Sequence, residues 1–155
     1  MTFRLLGLDP APFQPLFGLP EDELAQRGVV RMSIDEPHAA PCRVTLEDAE
    51  PGETVLLLNH EHQPKRTPFT SRGPIFVREG ASLAYDQVGE LPAAILRRPI
   101  SVRAYDADGM MTDGEVLDGK DAAALLARWF ERLEVDEIHL HYARRGCFAA
   151  RAVRA

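Results

Sequence analysis

The chain contains five histidines, and four of them stand in two His-x-His pairs, His60-Glu61-His62 and His139-Leu140-His141. Alternate residues of an extended chain share a face, so each pair projects both rings to one side. Two such pairs on neighbouring strands would supply the imidazoles of a tetrahedral metal site, with nitrogens converging on bonds of about 2 Å. Histidines on the surface or held by hydrogen bonds are the competing reading, because His-x-His alone is a weak motif. A cupin-like centre would also need a downstream carboxylate and a further histidine at spacings that do not occur. No metal is therefore assigned from sequence, and His60, His62, His139 and His141 stand as its alternative ligands.

The first pair sits in the densest polar stretch of the chain. Asn59, His60, His62, Lys65, Arg66, Arg72 and Arg78 lie in and around a loop held between two apolar runs, TVLLL at 54–58 and IFV at 75–77. Guanidinium forks suit carboxylate and phosphate, and loops anchored on a rigid sheet are where small-ligand contacts gather. Binding of a small anionic molecule is the most economical expectation. Its counterpart is a solvated loop whose cations pair with Glu61 and Glu79.

Cys147 follows Arg144-Arg145-Gly146, where the arginines would stabilise a thiolate and a histidine would act as base. A three-residue loop with Gly146 left-handed is the expected register, and it sets Ala143 opposite Cys147 with His141 diagonal on the same face. A two- or four-residue loop would move Cys147 to the face of Leu140 and Tyr142. No recognisable nucleophile signature accompanies the thiol. Cys42 and Cys147 fit no paired-ligand spacing and are expected as reduced thiols, with a disulfide between them the other option.

These residues need elements to position them. Residues 3–8, 29–34, 54–58, 75–77, 100–105, 138–142 and 147–153 read as strands, the run at 54–58 as one buried on both faces that releases residues 59–63 at its exit. A short helix begins near Pro20, with Glu21, Asp22 and Glu23 in its first turn and Gly28 to close it. The clearest helix spans residues 119–133, where Leu125, Leu126, Trp129, Phe130 and Leu133 form one apolar stripe behind Asp118 as N-cap. Asp106-Ala-Asp108-Gly109 faintly resembles a calcium loop, but a hairpin turn explains it more simply. Hairpin-like strand pairs with one good helix predict an α+β fold: a largely antiparallel or mixed sheet, one long C-terminal helix and a short N-terminal helix. At 155 residues, a single domain over 1–155 is expected.

The formal charge of −6 and pI near 5.4 argue against nucleic acid or anionic membrane as partners, since phosphate neutralisation needs a basic surface. Residues 138–155 nonetheless carry Arg144, Arg145, Arg151 and Arg154 and no acid, a local positive field unless acids elsewhere pair with them. No run approaches the roughly 20 apolar residues of a membrane span, and the start lacks a signal-peptide apolar region, so a cytoplasmic location is expected. Glycine-rich phosphate loops, dinucleotide fingerprints, nucleophile elbows and paired-cysteine zinc motifs do not occur, so no cofactor is assigned.

PCRVTLEDAEPGETVLLLNHEHQP and GPIFVREGA resemble the bacterial family called domain of unknown function 1203. The beginning, FRLLGLDPAPFQPLFGLPEDELAQRG, and the end, VDEIHLHYARRGCFAARAVR, are also similar to its members, so the resemblance covers nearly the whole chain. It implies a bacterial protein and brings no substrate, reaction or catalytic residue. The resulting expectation is a protein of unknown function that binds a small anion near residues 59–78. A metal-dependent enzyme using the paired histidines is the alternative. A structural or partner-binding protein, as a homodimer joined through an edge strand, is the third reading.

Overall fold

A computed structural model describes residues 2–155 as two antiparallel sheets with three α-helices. The strands are β1 (Phe3–Leu6), β2 (Val30–Ser33), β3 (Thr54–Gln63), β4 (Ser71–Arg78), β5 (Asp86–Val88), β6 (Pro99–Tyr105), β7 (Met111–Asp118), β8 (Glu137–Tyr142) and β9 (Phe148–Arg154); the helices are α1 (Glu21–Gln26), α2 (Ala93–Leu96) and α3 (Gly119–Trp129). The larger sheet runs β5-β1-β9-β8-β6-β7 and the smaller β2-β3-β4. Helix and sheet are mixed as the sequence indicates, but strands dominate.

The C-terminal helix is shorter than its apolar stripe suggests. α3 ends at Trp129, and a tight turn carries residues 130–135 away from the axis, with Val135 N–H bonded to Arg132 O at 3.2 Å. Leu125, Leu126, Trp129 and Phe130 are buried while Leu133 is 89% exposed, so the stripe's last residue lies beyond the helix and packs against nothing. The helix start is fixed by close approach instead of a side-chain cap: Asp118 occupies the N-cap without a capping bond, and Gly119 N–H donates to Arg98 O at 2.9 Å. A Cβ on Gly119 would lie 1.9 Å from Ile95 O, so only glycine fits there.

One core lies between α3 and one face of the larger sheet, uniting Ile100, Val102, Ala104, Ile138, Leu140 and Ala152 with Leu126 and Phe130. A second fills one face of the smaller sheet, where Leu56, Leu58, Ile75 and Val77 meet Leu24 of α1, Phe13, Cys42 and Val44. The segment 40–49 ties the two together: Arg43 N–H bonds to Phe76 O and Leu8 N–H to Arg43 O. Among the described residues no helix is long and apolar enough to cross a membrane.

The apolar run at 54–58 and the exit it was expected to feed form one element. β3 continues through Gln63, so residues 59–63 are strand, paired with Ser71 to Pro74 of β4. Their N–H and C=O groups go on finding partners across the hairpin, which is why the polar composition does not end the strand. The Asp106–Gly109 turn is a plain β6–β7 connection in which Asp106 Oδ1 accepts from Asp108 and Met110 N–H groups.

Candidate metal centre

β8 reads Glu-Ile-His-Leu-His-Tyr, and all six residues are buried. Its period of two sends Ile138, Leu140 and Tyr142 to the α3 side and Glu137, His139 and His141 to the other face. There the smaller sheet supplies His62, whose ring centroid lies 4.9 Å from that of His141 and 6.2 Å from that of His139. Two irregularities aim these groups. His62 is the extra residue of a bulge in β3, between the pairs Glu61↔Arg72 and Gln63↔Ser71. Ala149 is the extra residue of another in β9, between Leu140↔Ala150 and His141↔Phe148. Bulges redirect side chains and occur preferentially beside functional sites.

One ring nitrogen from each of His62, His139 and His141 lies within 4.8 Å of the other two, the one such cluster among the described residues. Two of the rings are oriented from behind. His139 Nε2 donates to Glu137 Oε1 at 3.0 Å, and His141 Nδ1 donates to Gly146 O at 2.9 Å. A carboxylate and a carbonyl can only accept, so a neutral ring in either place carries its proton on the nitrogen facing that acceptor and turns the other, His139 Nδ1 or His141 Nε2, to the cluster as a lone pair. Those two atoms, with His62 Nδ1, are buried and make no hydrogen bond among the described residues. Glu137 is itself held by Arg151 Nη1 at 3.3 Å.

Burial is the main cause that pushes His62 down to about 4 and His141 down to about 3, with neighbouring histidines and Arg103 adding to it. Both rings are therefore neutral at pH 7, the form that ligates a metal. Phe148 stacks on His62 at 5.4 Å and 7°, and Tyr105 lies 4.7 Å from His139, so apolar rings wall the cluster. A tetrahedral ion with bonds of about 2.0–2.1 Å spaces its nitrogens roughly 3.4 Å apart. The cluster's nitrogens, all within 4.8 Å of one another, exceed that spacing by no more than about 1.4 Å, so the donor set fits a metal.

Residues 39–154 match the family model described as "Protein of unknown function (DUF1203)". The chain belongs to this family. Every residue of the histidine cluster and its supporting shell lies inside the matched span. No curated protein and no solved structure matches the chain.

In this DUF1203 chain, three of the four paired histidines converge and His60 does not. Its ring sits beside Phe13 and Phe148, with centroids at 6.3 and 6.1 Å, and is not a member of the cluster. The cations of residues 59–78 are dispersed. Lys65 Nζ donates to Ala107 O at 2.8 Å and lies 3.7 Å from Asp136; Arg72 donates to Asn59 Oδ1 and lies 3.8 Å from Glu61; Arg66 is exposed. Arg78 pairs with Glu53 at 3.3 Å, six residues along β4 from Arg72 and so about 20 Å away.

The hairpin register differs from expectation. Tyr142 N–H bonds to Cys147 O, and Gly146 N–H returns to Tyr142 O, giving a four-residue loop over 143–146 with Gly146 at φ 81°. Cys147 is thereby paired with Tyr142 and separated from the face of His141. The glycine is left-handed as anticipated, but it closes a loop one residue longer, because the Gly146 carbonyl is drawn to His141 Nδ1. Both cysteines are free thiols. Sequence reasoning passed over Glu137 and Arg103. Glu137 was legible as the first member of an alternating Glu-x-His-x-His run on one strand face, whereas Arg103 is opposite His139 only through the β6–β8 register.

Proposed function

We propose that this DUF1203 protein is a metal-dependent enzyme holding one divalent transition ion on His62, His139 and His141. The observation that supports this is the convergence of three buried imidazole nitrogens that make no hydrogen bond among the described residues. Buried nitrogens left without partners forfeit hydrogen bonds, a cost of about 1–3 kcal/mol each that a shared cation removes. An all-imidazole set favours zinc or a neighbouring first-row metal over calcium or magnesium. Glu137 behind His139 and the Gly146 carbonyl behind His141 are the outer-shell partners such ligands need.

Three protein ligands leave a coordination position for water, the pattern of catalytic and not of structural zinc. An ion in that state lowers the pKa of its water to about 7 and polarises a bound oxygen, which suits hydrolysis or hydration of a small substrate. Arg103 adds positive charge beside the cluster and favours an anionic group there. The alternative of an anion pocket across residues 59–78 has less support, since Arg72 and Arg78 are engaged by Glu61, Asn59 and Glu53.

Metal content of the untagged protein, purified without chelator and without affinity metal, tests the reading. One equivalent of metal in the wild type and in His60→Ala, and its loss in His62→Ala and His141→Ala variants that retain their circular dichroism, is the expected result. A wild type that neither carries metal nor takes up zinc or cobalt with micromolar affinity would refute it.

A further inference from the structure

Beyond the histidines, the protein has a cleft of about 810 Å³ whose charged lining consists of Arg43, Arg97, Arg98, Arg144 and Arg145, with no carboxylate. In an acidic protein this is an unusual concentration of one sign. Asp48 lies behind the cleft and clamps two of the five, meeting Arg97 Nη1 and, at 2.7 Å, Arg98 Nη2. That pairing fixes the two guanidinium groups and neutralises one charge. Among the described residues Arg144 and Arg145 form no ion pair and are exposed at the rim.

Arg43 is the decisive residue, 3% exposed and without a carboxylate partner. Its Nε donates to Phe148 O at 2.7 Å and its Nη1 to Pro41 O, so main-chain carbonyls hold it in place without cancelling its charge. Buried charges are normally paired, because desolvating one without compensation is expensive. The Tyr142 ring lies between Arg43 and Arg98, 5.0 and 5.1 Å from their Cζ atoms. Tyr142 lines the same cleft, and its hydroxyl is buried with no hydrogen-bond partner among the described residues. A buried cation with no carboxylate partner, held by carbonyls and flanked by the Phe76 and Tyr142 rings, and an unpartnered buried hydroxyl thus belong to residues lining one cleft. Leu57 and Phe76 add an apolar wall from β3 and β4, the Phe76 ring lying 6.0 Å from Arg43 Cζ.

We propose that this cleft binds a small organic oxyanion, a carboxylate or phosphate monoester on a compact apolar body, with the anionic group received by Arg43, Arg144, Arg145 and the Tyr142 hydroxyl. Guanidinium forks match the planar or tetrahedral oxygens of such groups, and the Leu57–Phe76 wall takes the apolar remainder. The cleft is separate from the histidine cluster. Leu57 alternates with Leu58, His60 and His62 along β3, and Tyr142 with His141 along β8, so both strands turn opposite faces to the two places. The assignment therefore stands without the metal reading.

Titration calorimetry at low ionic strength, with benzoate, phenyl phosphate, acetate and inorganic phosphate as probes, tests it on the full chain. The expected result is saturable one-to-one binding of an aromatic anion at least tenfold tighter than of acetate or inorganic phosphate. Affinity should fall at least tenfold in the Arg144→Ala/Arg145→Ala double variant, whose exposed side chains carry little folding energy, and severalfold in Tyr142→Phe, which keeps the ring. Tighter binding of benzoate would assign a carboxylate ligand and of phenyl phosphate a phosphate monoester. The proposal is overturned by no saturable binding of any probe, by equal affinity in wild type and double variant, or by inorganic phosphate binding as tightly as the aromatic anions.

Discussion

Glu137→Gln separates a metal centre from a cluster of merely buried histidines. The Glu137 side chain is 11% exposed, and its Oε1 accepts the His139 Nε2 proton at 3.0 Å while Oε2 faces Arg151 at 3.3 Å. Glutamine keeps the shape and a carbonyl acceptor, so the packing and the hydrogen bond survive and the negative charge is lost. That charge makes His139 a stronger electron donor. Outer-shell substitutions of this kind cost 10- to 100-fold in metal affinity, about 1.4–2.7 kcal/mol. Because one hydrogen bond is retained, the low end, about tenfold, is expected here. Glu137→Ala also leaves His139 Nε2 without a buried acceptor, at a further cost of roughly 1–3 kcal/mol, so its loss should approach 100-fold. Arg151→Ala removes a half-exposed partner and should change affinity by about twofold or less. Competition of cobalt(II) between each variant and a chelator, followed by the ligand-field absorption of the bound ion, gives the affinities. Equal cobalt affinity in wild type, Glu137→Gln and Glu137→Ala would refute the assignment of Glu137 as an orienting partner of a ligating histidine.

Two further outcomes bear on the fold. Leu126→Ala, at a fully buried position of α3, should destabilise the protein by about 2–5 kcal/mol in urea titrations, whereas Leu133→Ala should stay within about 0.5 kcal/mol because that side chain lies beyond the helix in solvent; equal effects would contradict the helix end at Trp129. Glu79 accepts from Arg31 at 2.6 and 3.0 Å, from Gly18 N–H and from Thr54 Oγ1, and Arg31 foremost holds its carboxyl down to about 2 from an ordinary 4.5. Between those values the unfolded chain binds the proton and the native one does not, so this group's stabilisation is complete above pH 4.5 and fades as pH falls towards 2. Stability measured across that window should fall less steeply in Glu79→Gln, and an unchanged slope would show that Glu79 is not held as described.

Much of the architecture was legible because it rests on local rules. The alternation in residues 100–105 and 138–142, the Asp-Gly turn after β6 and the apolar pairs Leu125-Leu126 and Trp129-Phe130 each follow from a period or a backbone preference. What escaped depended on pairing across the chain. Nothing local in Asn59-His-Glu-His-Gln63 says whether the strand goes on; β4 supplies the partners that make it continue. The same limit governs the sites. His62 and the His139–His141 pair lie in different sheets, and their meeting follows from how the sheets pack. Arg43, Arg98 and Tyr142, dispersed over a hundred residues, carry no shared motif from which a cleft could be read.

Register at the β8–β9 turn shows how narrow that dependence is. A three-residue loop would have put Cys147 diagonal to His141 on one sheet face and brought a thiol and an imidazole together. The four-residue loop instead turns the Gly146 carbonyl onto His141 Nδ1, pairs Cys147 with Tyr142, and places Phe148 opposite His141, where its ring stacks on His62. The same stretch presents Arg144 and Arg145 to the cleft and offers the Phe148 carbonyl to Arg43. One added loop residue thus decides the tautomer of a candidate ligand, the wall of its cluster, the seat of a buried arginine and the face on which the thiol lies. Hairpins tolerate either length at little cost in backbone energy, so the choice rests on the sum of these tertiary contacts. Gly146 enables the turn by accepting φ 81°, but it is His141 and Arg43, from elsewhere in the fold, that select it.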